Sequence, residues 1–465
     1  MNKLDTMQLV GIFLTIVMFS TIGLWSGKLI KTKSDYYVGG QRFGTLSIAG
    51  TAAGLYIGGG AVIGAAQLAF NHGFSGMYFS IGCLIALTAS GLVFSKAIRH
   101  SGLQTVQEMV NTEFGKKAAL LATVLGLLAF YINCITQFFS GISLITSLFP
   151  VSAFTASMAT AILILLCVYM GGFLGMSLIN VVKSVILMGT IVASAVYILY
   201  ATDGLRLMVD AVPATHFSLF PRGMGTDLNN CASAALGIIA TQTTIQVIFS
   251  AKDDRSCRNG MVIGGGLLII VGACCVLIGM YMRMIAPETD SLQAFPQFIL
   301  MHTNGFVSGA ILATTLIAVA TAGVSQVLAI ASILLNNVYS PMRPNATTKQ
   351  QLRFSRNVIL AVPFITVAII NSGIDNKVLD YNFLSMGLRC AVLLLPMCAA
   401  LFFPGKVSSR FAMASIVLGP TALLLSKYVI DIPIEPLFFG LIVTIIVMLL
   451  GVLDKNAQTK KSADL

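Results

Sequence analysis

Charge is scarce in this chain of 465 residues, and acidic residues avoid its apolar stretches. Only 10% of residues are charged, and all 17 aspartates and glutamates fall in loops or at helix ends. An intramembrane aspartyl protease or a carboxylate-based proton relay would need an acid at membrane depth, so both are disfavoured. There is no His-Glu-x-x-His, which removes a zinc protease of that type. The four histidines, His72, His100, His216 and His302, lie in loops or near helix ends without clustering. No Cys-x-x-Cys or Cys/His metal spacing occurs. The nine cysteines stand mostly singly in apolar runs, as at Cys83, Cys134 and Cys167, with Cys274 and Cys275 adjacent. They read as small buried hydrophobes, not as a disulfide framework or a metal centre. With no nucleophile–base pair or metal set inside the apolar runs, an enzyme is the weakest reading, and no cofactor is expected.

What the chain has instead is hydrophobicity. It is 57% hydrophobic with mean hydropathy +0.90, which marks an all-α polytopic membrane protein embedded in lipid. Thirteen apolar runs lie near 7–27, 44–70, 74–97, 118–146, 153–172, 177–201, 230–251, 260–282, 305–338, 355–372, 378–403, 409–427 and 434–453. The first is too long for a cleavable signal and lacks a small-residue cleavage site. The longest connection, 203–229, shows no core pattern, so a single transmembrane domain over 1–465 is expected. The net charge of +11 comes from basic residues in the connections, which argues against nucleic-acid binding. One set of alternate connections holds 20 lysines and arginines and the other 6. The basic set faces the cytoplasm by the positive-inside rule, placing the N-terminus outside and the C-terminus inside, in a plasma (inner) membrane.

The run from Phe43 to Phe70 is uncharged and glycine-rich, with Gly58, Gly59 and Gly60 consecutive. Each glycine costs a helix about 1 kcal/mol relative to alanine, so the spacing predicts a membrane helix broken at Ile57–Gly60. A break at bilayer depth frees backbone groups that lipid cannot satisfy. Transporters place ions and substrates at such breaks; close packing of small residues is the competing reading. Two cations lie inside the runs, Lys183 and Arg389. Each is costly in lipid and marks a site unless the side chain snorkels or pairs with carbonyls. Asn133 and Gln137 stand four apart, as do Gln242 and Gln246 beside Thr241, Thr243 and Thr244. That spacing puts each amide pair on one helix face, turned to the bundle or to a cavity.

Several motifs then fall in a familiar order. Asp35-Tyr36-Tyr37-Val38-Gly39-Gly40, Gly58-Gly59-Gly60-x-Val62-Ile63-Gly64, Gly73-Phe74-Ser75-Gly76, Ser250-Ala251-Lys252-Asp253, Ser325-Gln326-x-Leu328 and Asn337-Val338-Tyr339 resemble the sodium:solute symporter family over about 35–403. The resemblance implies a leucine-transporter-like core of two inverted five-helix repeats, about 44–201 and 230–403. One helix precedes it (7–27) and two follow it (409–427 and 434–453). It implies a sodium site between the broken second helix and the ninth, with the carbonyls of Gly54, Ile57 and Ala318 and the hydroxyl of Thr321 as ligands. The chain departs from the family where a second hydroxyl is replaced by Ala322, where Asn180 stands for an aspartate, and where Lys183 stands for a common glutamine. A usual Gln-Arg pair reads Gln246-Val247. An ammonium at Lys183, pointed at the carbonyls of Gly54 and Ile57, would take the place of sodium.

The expectation is a symporter taking up a small organic solute by alternating access, coupled to sodium. Coupling to protons or no coupling, with Lys183 replacing sodium, is the alternative, and a non-transporting sensor of the same fold is another. Two cations and no anion in the membrane interior favour an anionic or neutral solute. The expected pocket lining is Tyr56, Gly60, Ala61, Phe130, Asn133, Gln137, Thr241, Gln242 and Arg389, with Asn180 and Lys183 at the coupling site.

Overall fold

The computed structural model describes residues 5–27, 41–103, 105–373, 377–430 and 432–463. The Asp35–Gly40 motif lies outside them. Among the described residues the chain is helical, and its one β-type contact is a parallel bridge between Phe43 and Ala251.

Helix α1 spans Thr6–Gly27. The next apolar run is not one helix. Helix α2, Thr45–Tyr56, ends at Ile57, which is extended with ψ 90°. The chain re-enters helical geometry through a π-turn, Gly59–Gly64, and continues as α3, Ala65–His72. The break therefore falls at Ile57–Gly58, inside the glycine run that predicts it. A 3₁₀ turn, Gly73–Met77, leads into α4, Tyr78–Ala89. Gly73 has φ +53°, and a side chain there would overlap the backbone of His216. Glycine is thus required twice over, by conformation and by close approach.

Helices α5 (Val106–Phe114), α6 (Lys116–Leu148) and α7 (Ala153–Ala201) follow. A second break comes next. Helix α8, Met224–Ile239, and helix α9, Gln242–Ser250, meet at 49° across Ala240 and Thr241. No glycine run announces this break. Local hydroxyls help satisfy its carbonyls: Thr241 Oγ1 donates to Gly237 O at 2.8 Å, and Thr244 Oγ1 at 2.9 Å joins Thr241 N at 3.1 Å on Ile238 O. Hydroxyl side chains that re-satisfy the backbone in this way are what lets a membrane helix break. Besides the short helical pieces Ser95–Ser101, Arg206–Ala211 and Ser340–Met342, the remaining helices are α10 (Asp254–Ile285), α11 (Ala294–His302), α12 (Gly305–Leu334), α13 (Thr348–Ile370), α14 (Val378–Arg389, running on helically to Phe402), α15 (Ser409–Tyr428) and α16 (Pro436–Ala463).

Among the described residues, ten helices are long and apolar enough to cross a membrane, or eleven with the bent α8–α9 pair taken as one span. The thirteen runs of the sequence differ from this for two physical reasons. The runs 44–70 and 74–97 meet without a gap at the 3₁₀ turn of 73–77, so Gly59–Ser101 is taken together as one stretch of 43 residues although Gly73 turns the chain. The run 153–172 has only the shorter apolar helix Ala153–Val168, contained in the 49 helical residues of α7.

Burial orders the layers. In α12, 89% of the most apolar window is buried, against 22% in α1 and 28% in α16. Helix α12 is therefore the axis of the bundle, packed by α1, α6, α7 and α13, while α1 and α16 turn apolar faces outward as lipid-facing helices do. At one end the two broken segments are tied together. Phe43 N donates to Ser250 O and Lys252 N to Phe43 O, both at 3.0 Å. Arg99 caps the same corner, donating to Ala251 O at 2.6 Å and Asp254 Oδ1 at 2.8 Å. Asp253 accepts from Ser256 N at 2.7 Å as the N-cap of α10, and that bond holds its carboxyl below the usual range. The Ser250–Asp253 motif is thus a structural clasp.

Candidate functional site

Both helix breaks open onto one cavity in the middle of the bundle. The α2 break contributes Tyr56, Gly58, Gly59 and Gly60, and the α8–α9 break contributes Thr241 and Thr243. Helix α6 adds Asn133 and Gln137, α12 adds Ala322, Ser325 and Gln326, and α14 adds Asn382, Met386 and Arg389. The cavity has a free volume of only about 20 Å³. That is room for about one water, so the cavity is closed down in this conformation. The glycines set this tightness. A Cβ at Gly60 would come within 2.6 Å of Asn382 Nδ2 and one at Gly59 within 2.7 Å of Ser140 Cβ.

Arg389 is the charge of this cavity. It is 1% exposed, and its partners are all neutral. Nη1 donates to Thr241 Oγ1 at 2.7 Å, Nη2 to Ser385 Oγ at 3.1 Å and Nε to Ser385 O at 3.3 Å. Its guanidinium carbon lies 5.0 Å from the centre of the Phe130 ring. Of the five N–H groups of a guanidinium, three are used here. No carboxylate of the described residues lies within 4.0 Å of it. Around it, Asn133 Nδ2 donates to Asn382 Oδ1, and Tyr56 and Thr244 share a hydroxyl bond of 2.8 Å. Gln137 Oε1 and Gln326 Oε1 are buried acceptors with no partner among the described residues.

Six of the nine residues expected at the pocket therefore line it: Tyr56, Gly60, Asn133, Gln137, Thr241 and Arg389. Three do not. Ala61 is fully buried one step beyond Gly60, where the π-turn carries it to another side. Phe130 lies beneath the guanidinium and supports Arg389 without reaching the cavity. Gln242 is buried but displaced, because the break at 240–241 turns Thr241 and Thr243 to the cavity. Asn382 and Gln326 were missed. Asn382 has a readable signal, since Asn382, Ser385 and Arg389 stand three and four apart and so share one helix face.

A second polar locus lies where α2, α7 and α12 meet. Lys183 is fully buried. Its Nζ donates to Thr321 Oγ1 at 2.6 Å and to Ala318 O at 3.3 Å. Thr321 Oγ1 in turn donates within its own helix, to Ile317 O at 2.9 Å or Ala318 O at 3.1 Å. The ammonium thus turns to α12 and not, as expected, to the carbonyls of Gly54 and Ile57. The reason is contact between α2 and α7: a Cβ at Gly54 would stand 2.6 Å from Asn180 Cβ and 2.8 Å from Asn180 O. No gap remains there for a side chain. Both amide atoms of Asn180 are buried without a partner among the described residues.

The fold and these loci have known counterparts. The model of the sodium:solute symporter family matches residues 36–419. The chain belongs to the sodium:solute symporter family. Among solved structures, a Na+-coupled sialic acid symporter in a substrate-bound outward-open state superposes with TM-score 0.82 at 16% identity, covering 98% of each chain. A nucleobase-cation-symport-1 family transporter, closed with bromovinylhydantoin bound, gives TM-score 0.60 at 15% identity over 93% of this chain and 96% of that one. A manganese transporter of Eremococcus coleocola gives TM-score 0.52 at 14% identity over 93% and 97%. At such identities the likeness carries the leucine-transporter-like fold alone. In this symporter, as in transporters built on inverted repeats, the two broken helices face each other at the middle of the bundle.

Proposed function

We propose that this symporter is a secondary active transporter, not an enzyme, that moves a small organic anion through the cavity between the two helix breaks. The observation that carries the reading is Arg389. A buried guanidinium with only neutral partners is costly unless an anion completes it. Its two spare N–H groups suit a carboxylate, and the unpartnered oxygens of Gln137 and Gln326 suit a hydroxyl or N–H of the same solute. The core repeats would be 44–201 and 230–403. The excess of basic residues in alternate connections supports an outside N-terminus and a cytoplasmic C-terminus in the plasma membrane.

Family membership supports sodium as the coupling ion, with Gly54, Ile57, Ala318 and Thr321 as its ligands. One observation favours a second reading. The Lys183 ammonium already bonds Ala318 O and Thr321 Oγ1, two of those four ligands. A protonated lysine and a sodium ion would compete for the same oxygens. In that reading Lys183 bridges α7 to α12, where the ion would bridge α2 to α12, and its protonation takes the part of ion binding. Uptake of small carboxylates into proteoliposomes, with and without an inward sodium gradient and at several pH values, separates the readings. Sodium coupling predicts accumulation only with the gradient. The lysine reading predicts uptake indifferent to sodium and graded with pH. No uptake under any condition would favour a non-transporting sensor.

A further inference from the structure

A larger cavity, of about 360 Å³, lies on the far side of α14 from the central one. Its floor is buried and polar. Asn230 is 7% exposed and Ser233 3% exposed, both on α8, and neither side chain has a hydrogen-bond partner among the described residues. Its rim is charged, with Arg222, Lys377 and Lys427 set against Asp380 and Glu435. Asp380 is held by Arg222 at 3.5 Å, and Glu435 accepts from Thr226 Oγ1 at 2.8 Å. Neither lysine has a carboxylate within 4.0 Å among the described residues. The rim thus sets three cations against two carboxylates, one positive charge in excess and neither lysine in an ion pair among the described residues, above a floor of an unpartnered amide and hydroxyl.

We infer that this cavity is a second binding site, for a small hydroxylated carboxylate. The carboxylate would lie at the Lys377 and Lys427 rim, and the hydroxyls would reach Asn230 and Ser233. A volume near 360 Å³ is within the range of small-molecule pockets, about 300–1,000 Å³. The site is built separately from the central one, yet both share α14. Phe383, Leu384 and Gly387 face this cavity, while Asn382, Met386 and Arg389 face the other. A ligand here rests on the back of the helix that carries Arg389, so its occupancy biases whether α14 can move and the central cavity open. The assignment stands on this cavity's own residues and requires no particular solute in the central one.

The test is equilibrium binding of gluconate to the purified full chain in detergent, with sorbitol as the uncharged polyol of matching length. Saturable gluconate binding is expected, with none for sorbitol. The double variant Lys377→Met/Lys427→Met alters two exposed side chains and should weaken binding about tenfold or more, the scale of a charge-assisted contact. A second readout is chemical: Ser233→Cys puts a thiol on the floor, and gluconate, but not sorbitol, should slow its modification by a small anionic methanethiosulfonate. Equal effects of gluconate and sorbitol would overturn the proposal. So would gluconate binding unchanged in the double variant, together with no protection at position 233.

Discussion

Lys183 and Arg389 carry the same charge and are equally buried, yet their surroundings make them different devices. Lys183 spends two of its three N–H groups on a hydroxyl and a carbonyl of α12, at a junction where α2 and α7 touch backbone to side chain. It joins helices. Arg389 spends three donors on a hydroxyl and a neighbouring serine and keeps two beside a cavity lined by unpartnered amide oxygens. In the proposed function it is the group that takes the solute. A buried cation inside a membrane bundle therefore does not by itself say ion site or substrate site. The surroundings decide, by whether the unused N–H groups stand beside a cavity, as at Arg389, or at a packed helix junction, as at Lys183.

The comparison can be broken most severely at the cavity itself. Gly59→Leu would drive a side chain into Ser140 and Gln137 and fill the space between the breaks. Uptake should fall by about 100-fold or more, while insertion and abundance in the membrane stay near wild type, because leucine favours the membrane helix. Retained uptake would move the solute path away from the break.

A smaller effect is expected at the helix junction. Lys183→Gln keeps a donor for Thr321 but removes the charge. If the ammonium replaces the ion, uptake should lose its pH dependence and fall by about tenfold, the scale of one charge-assisted bond. If sodium is the coupling ion, the variant should raise apparent sodium affinity and leave the pH profile unchanged. Initial rates across pH and sodium concentration distinguish these outcomes.

The smallest effect concerns a group outside both loci. Burial lowers the pKa of His216 below its ordinary 6.5, against a weaker raising effect of the 3.4 Å contact with Phe70 O. A base whose folded pKa is depressed binds its proton more readily when unfolded, so stability rises with pH in that window. Thermal stability should be level above about pH 6.5 and decline as pH falls through that value toward the folded pKa. His216→Gln should flatten the slope. A slope of opposite sign in the wild type would contradict the burial of His216 against Gly73.

Much of the frame was legible in the sequence. The first break is written in Gly58, Gly59 and Gly60, and the two interior cations stand out because nothing else charged does. The second break was not legible. Its Thr241 and Thr244 read as ordinary polar helix residues until their bonds to Gly237 O and Ile238 O show them helping to satisfy the carbonyls at the break. That local event also displaced Gln242 from the cavity. Phe130 was misplaced for a related reason, since sequence spacing gives a face but not what stands in front of it. The direction of Lys183 depended on contact between Gly54 and Asn180, a long-range approach that no local pattern encodes.

The central claim is that Arg389 reads the negative charge of the solute. The direct measurement pairs a transported carboxylate with its neutral amide and compares their uptake by wild type and by Arg389→Gln in proteoliposomes. Wild type should prefer the carboxylate by about tenfold or more, since a charge-assisted bond contributes about 1.5–3 kcal/mol. The variant, if it reaches the membrane folded, should bring the ratio near one. A wild-type ratio near one, or a preference that survives in Arg389→Gln, would contradict the account.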